Sequence, residues 1–120
     1  MAKTMEAVFF PSIRGSMTSQ DGQHFFLHVE REDGGDLMLG FPHAELSNLV
    51  EHAAMQLSHG RDKDGDQVIS AFRCAGFEVG RGPGGEPVLV LKVGEAGRLS
   101  FLLPRDMPGK LTEVLLKLAH

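Results

Sequence analysis

The chain repeats itself, and that repeat restricts the folds open to it. Phe41-Pro42 stands beside Leu103-Pro104, 62 residues further on. Going back, Leu37, Leu39 and Phe41 fall on Leu99, Phe101 and Leu103. Going forward, Leu49 falls on Leu111 and Ala53 on Leu115. Phe25, Leu27 and Val29 match Leu89, Leu91 and Val93 at an offset of 64. Phe10 and Met17 then meet Phe72 and Val79 at 62 again. Both changes of offset fall in turns, Glu30 to Asp36 against Gly94 to Arg98 and the longer Gly80–Pro87 segment, where insertions are tolerated.

Each copy reads as three strands and a helix. The first strand is expected over about 7–17 and 68–80, edge-like or bulged because of Pro11 and Gly15. The second covers about 24–31 and 87–93, with apolar residues at every second position; the third covers about 36–42 and 98–104. Gly34-Gly35 and Ala96-Gly97 stand where hairpins need a permissive backbone. Leu46, Leu49, Val50, Ala53 and Leu57 form a helical stripe before Gly60, and Leu111, Val114, Leu115 and Leu118 form its counterpart. Asp106 is the expected N-cap of the second helix and Pro108 sits in its first turn, while Leu116 lies off the stripe.

Neither half buries enough apolar area alone to offset chain entropy. The expectation is therefore one α+β domain, 1–120, built as a tandem βββα repeat with pseudo-two-fold symmetry. Antiparallel sheet or sheets of about six strands would pack with two helices. Copy one spans 5–60, a linker 58–66, and copy two 67–120. In outline the arrangement resembles the Whirly and purine-rich-element-binding folds, which carry four strands per copy rather than three.

Composition narrows the function. The core must be aliphatic, since the 120 residues include eight Phe but no Trp or Tyr. The net charge of −4 argues against general nucleic-acid binding, although Arg73, Arg81, Lys92 and Arg98 could form a basic face on the second copy. Residues 1–60 are net −5 and residues 61–120 net +1, a weak basis for head-to-tail association. A single cysteine, Cys74, rules out an internal disulfide and fits a reducing compartment. Its expected state is a small buried hydrophobe. The Met1–Glu6 segment lacks the apolar run of a signal peptide, and no stretch of ~18 apolar residues suggests a membrane span. The cytoplasm is the expected location.

No motif reaches a firm chemical assignment. Asp62, Asp64 and Asp66 are spaced like the start of a calcium loop. However, Gln67 replaces the turn glycine and Arg73 stands where a closing glutamate is needed. Gly80-Arg81-Gly82-Pro83-Gly84-Gly85 fits GxGxxG, but a strand rather than a helix follows, so a hairpin loop with at most a weak anion contact is expected. Of the six histidines, His24 and His28 share a strand face but lie ~13 Å apart. His52 and His59 are ~10 Å apart on a helix face, and His43 stands at a helix entrance. Glu30 with Glu32, and Asp33 with Asp36, read as solvated turn charges.

The sequence calls for no cofactor, metal or catalytic group. Its leading functional expectation is a non-catalytic interaction or regulatory module that forms homo-oligomers, with an unidentified protein partner and no membrane. Its docking surface would draw on His24, Phe26, His28, Arg81 and Leu116. Two alternatives are a module for single-stranded nucleic acid, and a small-ligand binder or enzyme using a cleft between the copies.

Overall fold

Alternating apolar residues closed by glycine turns make two three-stranded antiparallel sheets, each followed by a helix. The computed structural model describes residues 5–68 and 71–119. The chain divides into two units, Met1–Ile69 and Ser70–His120. The first holds β1 (Ser12–Thr18), β2 (His24–Glu30), β3 (Asp36–Pro42), a 3-10 turn (His43–Glu45) and α1 (Leu46–Leu57). The second holds β4 (Cys74–Arg81), β5 (Pro87–Val93), β6 (Gly97–Leu102) and α2 (Met107–Leu118). The sheet orders are β1-β2-β3 and β4-β5-β6. The strand–helix order is that of a βββα repeat, as the sequence pattern implied. Among the described residues no helix is long and apolar enough to cross a membrane.

The hairpins share one design. Arg31 and Gly82 donate their N–H groups to the carbonyls of Gly35 and Glu86 at 2.7 and 2.8 Å, and Gly34 and Gly85 donate back to Arg31 and Gly82 at 3.0 Å. Gly34 and Gly85 have φ of 88° and 82°, which a side chain strongly disfavours. In the shorter β5–β6 turn the left-handed residue is Gly94 (φ 62°), not the expected Ala96-Gly97 pair.

Strand pairing corrects the internal alignment. With Phe25, Leu27 and Val29 set on Leu89, Leu91 and Val93, both sheets carry a bulge at one equivalent place. Ile13 pairs with Val29 and Gly15 with His28; Cys74 pairs with Val93 and Gly76 with Lys92. Thr18 is therefore the equivalent of Val79, and Ser16 of Phe77. Met17 matches Glu78 rather than Val79, a slip of one residue that exchanges the two faces. In the third strand Phe41 opposes Phe25 and Phe101 opposes Leu89, so Phe41 matches Phe101. The Phe41-Pro42 and Leu103-Pro104 pairs are not equivalent, because Pro42 ends β3 whereas Pro104 lies beyond β6.

The helices stop short of the expected packing. The first strands begin at Ser12 and Cys74, later than the alternation suggested. Asp106 precedes α2 but makes no side-chain cap; its carboxylate takes Lys110 Nζ at 2.8 Å instead. Neither helix makes an extensive contact with the sheet of its own unit, and neither contains a buried residue. The buried hydrophobic residues among those described are Phe25 and Val29, each 3% exposed. The Phe25 ring stacks on Phe41 with centroids 5.2 Å apart.

Candidate interaction surfaces

In the first unit, alternation sends Phe25, Leu27 and Val29 to one sheet face and His24, Phe26, His28 and Glu30 to the other. The second face is organised by charge. The bulge beside Ile13 lets Arg14 reach Glu30 at 3.0 Å and Asp36 at 3.8 Å. His28 Nε2 lies 3.0 Å from Asp36 Oδ1, and Ser12 Oγ donates to Glu30 Oε2 at 2.9 Å. The Ser12 hydroxyl and then the Arg14 guanidinium hold Glu30 below its ordinary value of 4.5. Glu30 and Asp36 are thus strand residues in an ion-pair network, not loose turn charges.

Phe26 lies on this face against Gly40: a methyl group there would come within 2.8 Å of the Phe26 ring. The glycine makes room for a half-buried ring beside charged neighbours. His24 opens β2 and is exposed, and its main-chain N–H donates to Ser19 Oγ at 3.1 Å. The structure therefore places His24, Phe26 and His28 on one face of one sheet. Among the described residues no three His, Cys, Asp or Glu side chains gather as a metal-ligand set.

The second unit uses its equivalent face differently. Glu78 on β4 takes Lys92 at 3.4 Å and also Arg98, so two of the cations expected to form a basic face are paired with a carboxylate. The Arg98 bond and then the Lys92 bond hold Glu78 below its ordinary 4.5. The opposite face is apolar across all three strands: Phe77 and Val79 on β4, Leu89, Leu91 and Val93 on β5, and Leu99 and Phe101 on β6. Arg81 sits at the end of this face and donates from Nη1 to the Gly85 carbonyl at 3.3 Å. Leu116 is on α2 and 62% exposed.

The remaining motifs resolve into turns. In the glycine-rich loop, the Gly84 N–H donates to Glu86 Oε2 at 3.0 Å, so a carboxylate already occupies the place an anion would take. Asp62 Oδ1 accepts N–H bonds from Asp64 and Asp66, both at 2.9 Å, closing a tight turn between the paired Arg61 and Gln67. Cys74 is exposed rather than buried, because it starts an edge strand beside the bulge; its thiol donates to the Gly76 carbonyl at 3.1 Å. Two open troughs accompany the sheets. One of about 410 Å³ is lined by Val8, Phe9, Phe10, Arg31 and Leu37, the other of about 370 Å³ by Val79, Gly80, Arg81, Pro87 and Pro108.

Two features escaped the sequence reading. The Arg14 network needs a bulge to turn Arg14 toward Glu30, and no local signal marks it beyond Gly15. The sequence match sets Val79 against Met17 and makes no reading of Phe77, so the sharing of one apolar face by Phe77 and Val79 emerged only from the strand pairing. No known protein family matches the chain, and neither a curated protein nor a solved structure matches it.

Proposed function

We propose that the chain is a non-catalytic interaction module that associates with itself. The observation that carries this reading is the state of the helices. Leu49, Val50 and Leu57 on α1, and Leu111, Val114, Leu115 and Leu118 on α2, are apolar stripes at helical spacing with no buried member. A stripe of that kind contributes to stability only when another surface removes it from water, at roughly 25 cal/mol per Å². Phe26 and Leu116 add apolar contact area outside the stripes, and His24, His28 and Arg81 supply polar groups on the sheet faces. The same reading places the module in a reducing cytoplasmic setting, supported by the exposed free thiol of Cys74.

Size-exclusion chromatography with light scattering tests it. The expected mass is a multiple of the 13.0 kDa chain. A mass of one chain across the accessible concentration range contradicts self-association.

A further inference from the structure

One cation stands on an otherwise uncharged sheet face. Alternation along β4 carries Phe77, Val79 and Arg81 to one side, where Leu89, Leu91 and Phe101 continue the apolar surface. Phe77 and Val79 are 69% and 75% exposed. On the opposite face Lys92 and Arg98 are both held by Glu78. Arg81 differs from them. Among the described residues it forms no ion pair, and its Nη1 donates to an uncharged group, the Gly85 carbonyl, at 3.3 Å. A guanidinium carries five N–H donors in a planar fork, so most remain for an acceptor of opposite charge. The acid of the neighbouring loop does not supply it, because the Glu86 carboxylate takes the Gly84 N–H at 3.0 Å instead.

The cation and the apolar surface meet in one trough. Its volume is about 370 Å³, and Val79, Gly80, Arg81, Pro87 and Pro108 line it. Arg81 is the one polar side chain among these, and Pro108 belongs to the first turn of α2. The volume falls within the range of small-molecule sites, roughly 300–1,000 Å³. α2 makes no extensive contact with the sheet, so the rows beyond Arg81, Val79 with Leu89 and then Phe77 with Leu91, stay uncovered over the ~13 Å of four strand residues. We infer that this is a binding site for a free amphipathic carboxylate, a fatty acid whose head meets Arg81 and whose alkyl chain runs over Val79 towards Phe77. Charge complementarity selects this occupant. An uncharged cover, the helix stripes included, leaves Arg81 without a counter-charge, whereas a carboxylate pairs with it and its chain removes the apolar rows from water. The site lies within the second unit and goes beyond the self-association proposed above: it needs neither a second copy nor any placement of the first unit.

Isothermal titration of the full chain with decanoate, and with 1-decanol as a neutral probe of equal length, tests the site. The expected result is saturable binding of one decanoate per chain. Arg81→Gln should weaken it about tenfold or more, while 1-decanol binds weakly and alike to both proteins. Arg81 is exposed, so Arg81→Gln should keep the wild-type circular dichroism spectrum. Dodecanoate, two methylenes longer, should bind about tenfold tighter than decanoate. Phe101→Trp places a reporter on the face in a chain without Trp or Tyr, and its emission should shift to the blue as decanoate binds. Absence of saturable binding overturns the proposal. So do equal affinities of the wild type for decanoate and 1-decanol, or an Arg81→Gln variant that is folded and binds decanoate as the wild type does. Attachment to vesicles of phosphatidylcholine and phosphatidylglycerol without binding of free decanoate also overturns it, since the face would then meet a membrane surface. Constant Phe101→Trp emission at saturating decanoate puts the anion elsewhere and overturns this site.

Discussion

Gly97 opens β6 where no side chain fits: a Cβ there would sit 2.6 Å from the Val93 carbonyl oxygen. The obstruction is backbone, so it cannot rotate away, and Gly97→Ala should cost about 1–3 kcal/mol in denaturant unfolding. Gly80 is the contrast. Nothing lies within 4 Å of its Cβ position and its φ is not positive, so Gly80→Ala should be neutral or stabilise by up to about 1 kcal/mol. Acid should reveal the exposed carboxylates. The folded protein holds Glu30 and Glu78 below 4.5, so their contribution is present above that pH and is lost as pH falls through the lower folded values. The denaturation midpoint should therefore drop below about pH 4.5. Glu78→Gln, which removes the partner of Lys92 and Arg98, should flatten that drop. An unchanged slope in the variant would show that the pair does not contribute. The polar network and the Gly40–Phe26 contact were illegible in sequence for one reason: each joins residues on different strands, whose facing depends on a register that alternation alone leaves uncertain.

At the scale of elements, the reading was best where periodicity was clean. β2 and β5 carry apolar residues at every second position and lie where Phe25, Leu27, Val29 and Leu89, Leu91, Val93 indicated. The edge strands were harder. A bulge admits one extra residue, Arg14 in β1 and Ala75 in β4, and an alternation that skips a residue misassigns everything on one side of it. The match of Phe41-Pro42 to Leu103-Pro104 failed because shared turn residues need not occupy the same pairing position. Helix existence followed from the 3.6-residue stripes, but helix packing did not, since a stripe specifies that a face must be covered and not by what. Isolated helices of twelve residues are marginal in water. Amide exchange at concentrations that favour monomer should accordingly find α1 and α2 weakly protected and β2, which carries Phe25 and Val29, the slowest. Protection of the helices equal to that of β2 under those conditions would mean that they are packed without a partner.

For the whole molecule, two observations bear on one question. Each unit is a well-paired three-stranded sheet, and each helix carries an apolar stripe with no buried residue. Chain entropy of ~1–2 kcal/mol per ordered residue leaves such units little margin unless further apolar area leaves water. The sequence pattern led to the expectation of a shared core, while the shared facing of Phe77 and Val79 was illegible because it depends on the register of β4. Association that completes folding ties stability to mass action. The melting temperature of the wild-type chain, followed from ~1 to ~100 µM, should rise steadily with concentration, since the partner stabilises only the folded state. A melting temperature that stays the same across that range would show that a single chain already covers its apolar faces.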